Sequence, residues 1–374
     1  MITIKVVSSP KELRRFVEFP NKLYRENKFY VPQLVSADMA ALDPKKNHAF
    51  EFCEAKYWLA YNEQGEIVGR IAGIINREYN KKTGINYARF GWLDFIDDHE
   101  VVTALFNAAE SWAKKKGMQI VSGPLGFLEF DVSGVLVEGF DEYPTAYGKY
   151  NFPYYEEHIK QLGYVKDTDW IEFQVTVPEV IPEVYGRFAR MIEEKENLHV
   201  VQFKSKRDLS LYFDRIFDLL NQAYRNIHGF SELSQGQIDD LKSQFVPQVN
   251  LDFISVVANE KDEVVGFGIC LPSLSLALQK AHGKLFPFGF IHILKALRKN
   301  DTLDTLLISI ADDYRNKGVN SIIFDHTSKG IIKHGIKYIE TTRELENNHN
   351  VINLWGKFET RLHKRARCYI KELQ

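Results

Sequence analysis

Two stretches of the chain carry the same alternation of apolar and polar positions. Residues 60–73, AYNEQGEIVGRIAG, and residues 257–270, VANEKDEVVGFGIC, each run apolar strand, polar turn, apolar strand, which is the signal of a β-hairpin. They lie 197 residues apart, and five of the eight positions in 62–69 are identical to their partners in 259–266. The patterns that follow also recur in the same order. YARFGWLDFIDD reads as a strand. In HEVVTALFNAAESWAKKKG, Val102, Leu105, Phe106, Ala109 and Trp112 recur at helical spacing, and Gly117 makes a stop. MQIVSG is a short strand. After the second hairpin and an insert come the strand DTLLISIADD, a helix ending near Gly335, and the strand IKYIETTREL. Each half closes on a helix and a strand: PYYEEHIKQLGY with WIEFQVTV, and HNVINLWGKFETRL with RARCYIKEL.

The repeat predicts a mixed α/β (α+β) fold in tandem, with residues 1–178 and 179–374 as the two domains and helices on the faces of each sheet. The linker falls near residues 178–198, where VPEVIPEVYGRF brings two prolines. A length of 374 residues suits two domains, and 45% hydrophobic with 26% charged residues lets each bury a core. A net charge of −2 with interspersed signs argues against nucleic acid as a partner. The start MITIKVVSSPKELRRF shows no signal-peptide pattern, and no run of 18 apolar residues exists. Cys53, Cys270 and Cys368 stand in no metal or redox spacing, so they read as reduced cysteines and the chain as cytoplasmic.

ADDYRNKGVNS, 311–321, joins the strand TLLISIA to a helix. Free N–H groups and the dipole at a helix start favour an anion. Gly318 allows close backbone approach, and Arg315 and Lys317 add positive charge, so the turn reads either as a plain strand-to-helix turn or as a pyrophosphate cradle. Arg315-Asn316-Lys317-Gly318-Val319-Asn320 resembles the acyl-CoA-binding loop of the GCN5-related N-acetyltransferase (GNAT) superfamily, Arg/Gln-x-x-Gly-x-Gly/Ala. Arg315 and Gly318 match; Asn320 departs from the small last residue. NNHNVINLWGKFE resembles the family's Asn-x-x-Ala-x-x-Leu-Tyr-x-Lys. Asn348, Leu354 and Lys357 match, Val351 stands for Ala and Trp355 for Tyr. In the family that tyrosine often protonates the departing thiolate, which an indole cannot do. The resemblance implies two tandem GNAT-like domains and acyl-CoA as co-substrate. The first half has no Arg-x-x-Gly; Asp97, Asp98 and Glu100 stand there, so it is expected not to bind CoA. YRENKFYVPQL, ALDPKKNHAF, GFDEYP and YNFPYY resemble a family of large bacterial GNAT-like proteins whose relatives include a bacterial ceramide synthase.

Acyl transfer to an amine needs a held thioester, an oxyanion donor and a base. The resemblance places the donor on the strand before the cradle, near 308–311, with Ile308 and Ile310 as contacts. For the base, Glu340, Glu344 and Glu346 come to one face with Thr342 if their strand stays regular; a solvated strand end explains them as well. His326 and His334 suggest no metal site. The long segment 123–155 reads as a binding loop or as packed strands, and its Glu129 and Asp131 are candidates for holding a cationic amine. In the insert 271–299, Phe290, Ile293, Leu294 and Leu297 recur at helical spacing beside Lys284, Lys295, Arg298 and Lys299. That stripe suits a core-facing helix, a cover for a lipid tunnel, or membrane-surface contact through 284–299. The leading expectation is a CoA-dependent N-acyltransferase acting on an amine, such as a sphingoid base or another lipid amine. The alternatives are a non-catalytic acyl-CoA or lipid-binding protein and an aminoacyl-tRNA-dependent peptidyl transferase.

Overall fold

A computed structural model describes residues 1–373 apart from Glu129, His228 and Lys357, and of Asn350 the backbone alone. The first half runs β1 (Thr3–Val6), α1 (Pro10–Leu23), α2 (Val35–Ala41), β2 (Cys53–Tyr61), β3 (Ile67–Asn76), α3 (Arg77–Thr83), β4 (Tyr87–Phe95), α4 (His99–Lys115), β5 (Ile120–Gly123), β6 (Val135–Glu138), α5 (Tyr154–Gln161) and β7 (Val165–Thr176). The second runs α6 (Glu183–Glu196), β8 (Leu198–Val200), α7 (Lys206–Tyr224), α8 (Gln235–Phe245), β9 (Ile254–Asn259), β10 (Val264–Pro272), α9 (Ser275–Ala281), α10 (Gly289–Arg298), β11 (Thr302–Ile310), α11 (Val319–Lys333), β12 (Tyr338–Glu340), β13 (Glu344–Leu345), α12 (His349–Trp355) and β14 (Thr360–Glu372).

The two repeated hairpins are β2–β3 and β9–β10, and their identical residues have identical work. The Asn62 N–H donates to the Glu66 carbonyl (3.0 Å), and the Asn62 side-chain oxygen accepts the Glu66 N–H (2.8 Å). Asn259 does the same with Glu263, at 3.0 Å in both cases. Gly69 and Gly266 bring strand and helix together: a Cβ would meet Leu105 of α4 at 2.8 Å in the first half and Val319 of α11 at 2.9 Å in the second.

All strands join one sheet, ordered β1-β2-β3-β4-β5-β14-β7-β12-β11-β10-β9-β8, with β6 on β14 and β13 on β7. The halves therefore exchange their last long strands. β14 pairs with β5 of the first half, and β7 pairs with β12 and β13 of the second. Tyr369 of β14 is buried in the first half's core with Phe90 and Phe106. Leu128, Phe130 and Tyr147 pack on the second half's core of Phe213, Phe217 and Phe267. The first core also buries a charged hub. Asp94 is fully buried and bonds Arg70 (2.7 Å), Lys149 (2.9 Å) and the Tyr24 hydroxyl (2.8 Å).

Each half has a parallel strand pair that parts after three residues. β4 pairs with β5 over 87–89, and β11 with β12 over 302–304. In the first half the gap is filled by the chain itself. The Leu125 N–H donates to the Phe90 carbonyl (2.7 Å), and a Cβ on Gly91 would lie 2.5 Å from the Leu125 carbonyl. In the second half the gap stays open.

Candidate active site

A cavity of about 240 Å³ occupies the open gap between β11 and β12–β13. Thr305 to Ile308 of β11 form one wall, and Thr342 to Leu345 the other. Ile323, Phe324 and Thr327 of α11 also line it, with Trp355 of α12 and Asn348 just before that helix. Phe130, Asp131 and Tyr147 of the first half line it with Phe217, Tyr224 and Phe245 of the second. β11 carries a bulge here. Leu307 pairs with Ile269 and Thr305 with Cys270, so Leu306 is left over and the strand bends at the cavity.

Glu344 is the expected carboxylate that the cavity receives. Trp355 Nε1 donates to its Oε1 at 2.7 Å, and its Oε2 is buried with no hydrogen-bond partner among the described residues. Burial pushes its pKa up to about 7, against the Trp355 bond and helped by the charge of Glu172. A carboxyl half-ionised near neutrality, with one oxygen fixed and one open, is suited to taking a proton.

Glu340 and Glu346 go elsewhere. Glu340 pairs with Gln174 and Glu344 with Ile171, so four steps on one strand face three on β7. The one-residue slip breaks the alternation, and the single face expected for the three carboxylates does not form. Glu340 Oε2 lies 2.8 Å from His363 Nε2, and its Oε1 accepts from the Gln174 side chain (2.8 Å). Burial raises its pKa, but His363 and Lys364 outweigh that and hold it below the usual range. Glu346 is paired with Lys166 (2.6 Å) and Arg365 (3.3 Å).

Asp131 accepts the Leu128 N–H at 3.0 Å and lines the cavity; burial pushes its pKa up to about 6. Glu129 lies outside the described residues, as does Lys357. Ile308 lines the cavity, and its carbonyl accepts the Tyr224 hydroxyl (3.3 Å). Ile310 packs instead with Ile192 and Val319.

The cradle stands at the start of α11, whose inner face continues into the cavity. From Val319 to Thr327 is eight residues, about 12 Å along the helix. Asn316 (φ 63°) and Gly318 (φ 86°) are left-handed, and no side chain caps the helix. Among the described residues the N–H groups of Gly318, Val319 and Asn320 have no acceptor. They suit an anion such as a pyrophosphate. Arg315 pairs with Asp312 (2.9 Å) and Lys317 with Glu196 (3.4 Å), so an incoming phosphate competes with two carboxylates. The first half's α4 starts differently: Asp98 caps it by accepting the Glu100 N–H (2.8 Å).

Sequence reasoning missed Tyr224, Phe324 and Arg343, which no motif marks. Arg343 lines the cavity beside Glu344 and is held by Glu172 at 3.4 Å. In the insert, Ile293 and Leu297 pack on Leu274 and Leu278, while Phe290 and Leu294 are exposed. The stripe is divided between two faces. Among the described residues no helix is long and apolar enough to cross a membrane, and no group of three side chains could hold a metal.

Two strand–helix halves, each with a parting parallel pair, make up the tandem GNAT fold. A tandem GNAT protein from the clavulanic acid biosynthesis pathway superposes with a TM-score of 0.59 at 11% identity, covering 100% of this chain and 99% of that one. A GCN5-related glucosamine N-acetyltransferase region of a fungal multi-domain β-N-acetylglucosaminidase gives 0.60 at 12% identity, covering 99% of this chain and 38% of the other. In sequence the chain is similar to protein YghO of Escherichia coli K12, 25% identical over 379 aligned positions that cover 99% of this chain and 95% of the relative. It is also similar to the bacterial ceramide synthase of Caulobacter vibrioides, 28% identical over 302, covering 79% and 77%. No protein-family profile matches.

Proposed function

We propose that this protein is an N-acyltransferase that moves an acyl group from acyl-CoA to an amine, and that the amine is carried by a lipid such as a sphingoid base. The observation that carries the reading is Glu344, a carboxyl with a pKa of about 7 and one open oxygen in the gap where the GNAT fold parts its strands. The cradle at 315–320 takes the pyrophosphate, and Ile308 and its neighbours on the bulged β11 take the acyl carbonyl. The neutral amine nitrogen attacks the thioester carbon, C–N forms as C–S breaks, CoA leaves as its thiolate, and the proton that the nitrogen then carries in excess passes to ionised Glu344. Trp355 orients Glu344. Asp131, reaching across from the first half, holds the ammonium of the incoming acceptor. Asn348 supplies a polar contact at the α12 end.

The aromatic lining around Asp131 supports an apolar acceptor with one charged head, and the ceramide synthase relative supports the same class. Residues 1–178 form a domain that does not bind CoA, because segment 123–128 occupies its gap and Asp98 occupies its helix start; residues 179–374 form the domain that does. A non-catalytic acyl-CoA or lipid-binding protein is the second reading. It is favoured by Arg315 and Lys317 being already paired, and by Trp355 standing where the family has its acid.

Calorimetric titration with CoA, acetyl-CoA and palmitoyl-CoA tests the cradle. Wild type is expected to bind, and Arg315→Ala with Lys317→Ala to bind at least about tenfold more weakly, as loss of two charge-assisted contacts requires. Unchanged affinity rejects the cradle. Glu344→Gln is expected to keep acyl-CoA affinity and lose about 100-fold or more in turnover of palmitoyl-CoA with a sphingoid base. If wild type binds acyl-CoA but turns over no amine, the second reading holds.

A further inference from the structure

We propose that the α9–α10 hairpin is a docking surface for an anionic lipid bilayer. One face of α10 is used internally: Ile293, Ala296 and Leu297 pack on Leu274, Leu278 and Val31. The opposite face and the turn before it are bare. Phe286 is 78% exposed, Phe288 69%, Ile291 50% and Leu294 47%. Two phenylalanines at a protruding turn, next to a half-bare helix, are more than the scattered apolar residues a soluble surface carries.

Charge identifies the occupant. Residues 273–300 hold Lys280, Lys284, Lys295, Arg298 and Lys299 and no Asp or Glu, in a chain whose net charge is −2. All five are exposed, and among the described residues none is in an ion pair. A groove of about 1240 Å³ adjoins the hairpin and extends the basic surface: Arg15, Lys22, Arg25 and Lys28 from α1 and the segment after it face Lys280 and Lys284. Glu18 and Glu66 are its acidic groups, and Lys22 approaches Glu66 at 4.0 Å. An apolar strip rimmed by unpaired cations suits a surface with anionic heads over hydrocarbon. A second copy fits badly, because a twofold contact through this strip would set the same five cations against each other. The inference does not depend on the acyl-transfer reading, since it is tested without turnover.

The experiment is co-sedimentation of the full chain with sucrose-loaded vesicles of phosphatidylcholine alone and of phosphatidylcholine with about 30% phosphatidylglycerol. Each basic residue near such a surface is worth about 1 kcal/mol, or about fivefold in partitioning, so binding is expected to be strong on the anionic vesicles and to fall steeply with added salt. Phe286→Ser with Phe288→Ser, and separately Lys295→Glu with Lys299→Glu, should each weaken it at least about tenfold at an unchanged melting temperature. Both pairs are exposed, so the fold is not at stake. No sedimentation on anionic vesicles at low salt overturns the proposal, and so do variants that bind like wild type. Concentration-dependent self-association that the same substitutions abolish, without vesicle binding, would assign the strip to a second copy instead.

Discussion

Replacing Trp355 with Phe tests how Glu344 is tuned. Three influences set its pKa: burial, which raises it most, the Trp355 bond, which lowers it, and the charge of Glu172, which raises it. Phe keeps a ring against Phe324, whose centroid lies 6.0 Å from that of Trp355, and removes the N–H that reaches Oε1 at 2.7 Å. A hydrogen bond to a charged group contributes about 1.5–3 kcal/mol, and about 1.4 kcal/mol is one pKa unit. Losing it should lift Glu344 from about 7 by about one to two units. The ionised fraction at pH 7 then falls from about a half to between about a tenth and a hundredth, a loss of about 5- to 50-fold in kcat. The assay is thiol release from saturating palmitoyl-CoA and a sphingoid base, followed from about pH 6 to about pH 10. The acid limb of kcat should move to higher pH by that amount while the alkaline plateau recovers to within a few-fold. A lowered plateau with the limb unmoved would mean that Trp355 only fills space, and would refute this account of the base.

Two further outcomes concern stability. The folded pKa of Glu344 lies above its unfolded value, so the folded state binds the extra proton and its stability falls as pH rises from about 4.5 through about 7. Glu344→Gln removes that penalty. In urea titrations the variant should be more stable than wild type at pH 8, by at most about 3 kcal/mol, and no more stable at pH 4. Asp94 behaves oppositely: burial raises its pKa, but Lys149 and Arg70 outweigh burial and hold it below the ordinary range. Its contribution is complete above the unfolded pKa of about 3.9 and is lost as pH falls through the lower folded value. Asp94→Asn leaves Arg70 and Lys149 buried without their counter-charge and should cost about 3–5 kcal/mol in the same titration at pH 7.

The repeat was legible because its signature is local. Asn62 and Asn259 close their turns through their own side chains, and Gly69 and Gly266 sit where a helix presses on a strand, so four residues report a shared geometry. The strand-to-helix turn at 315–320 was legible for the same reason, since left-handed Gly318 and the charges around it are contiguous. The strand exchange was not. β7 and β14 each follow a helix and carry comparable patterns, and nothing local says whether β14 lies beside β5 or β12. Among the three carboxylates, residue type and spacing do not separate Glu344 from Glu340 and Glu346. The one-residue slip against β7 separates them, and it belongs to the pairing of the two halves. Segment 123–155 reads as a binding loop or as packed strands, and it divides between the two: 123–128 fills a gap, Val135–Glu138 joins the sheet, and Asp131 and Tyr147 reach the cavity.

The filled gap and the exchanged strands belong to one arrangement. A strand pair that parts exposes backbone N–H and C=O groups along its edges, and these must find a partner, a ligand or water. In the first half Leu125 supplies the partner, and Gly91 without a Cβ lets its carbonyl lie against the strand. In that half the space between the parted strands is taken by the chain itself. The chain that leaves the plug goes on to Phe130, Asp131 and Tyr147, which wall the other half's cavity, and β7 then holds the edge on which Glu340 and Glu344 sit. The closed half is thus a structural part of the open site. It contributes the strand that sets the slip and, in Asp131, a second carboxylate in the cavity lining. A substitution along β7 would act on Glu344 through the register, at a distance from the turn 315–320.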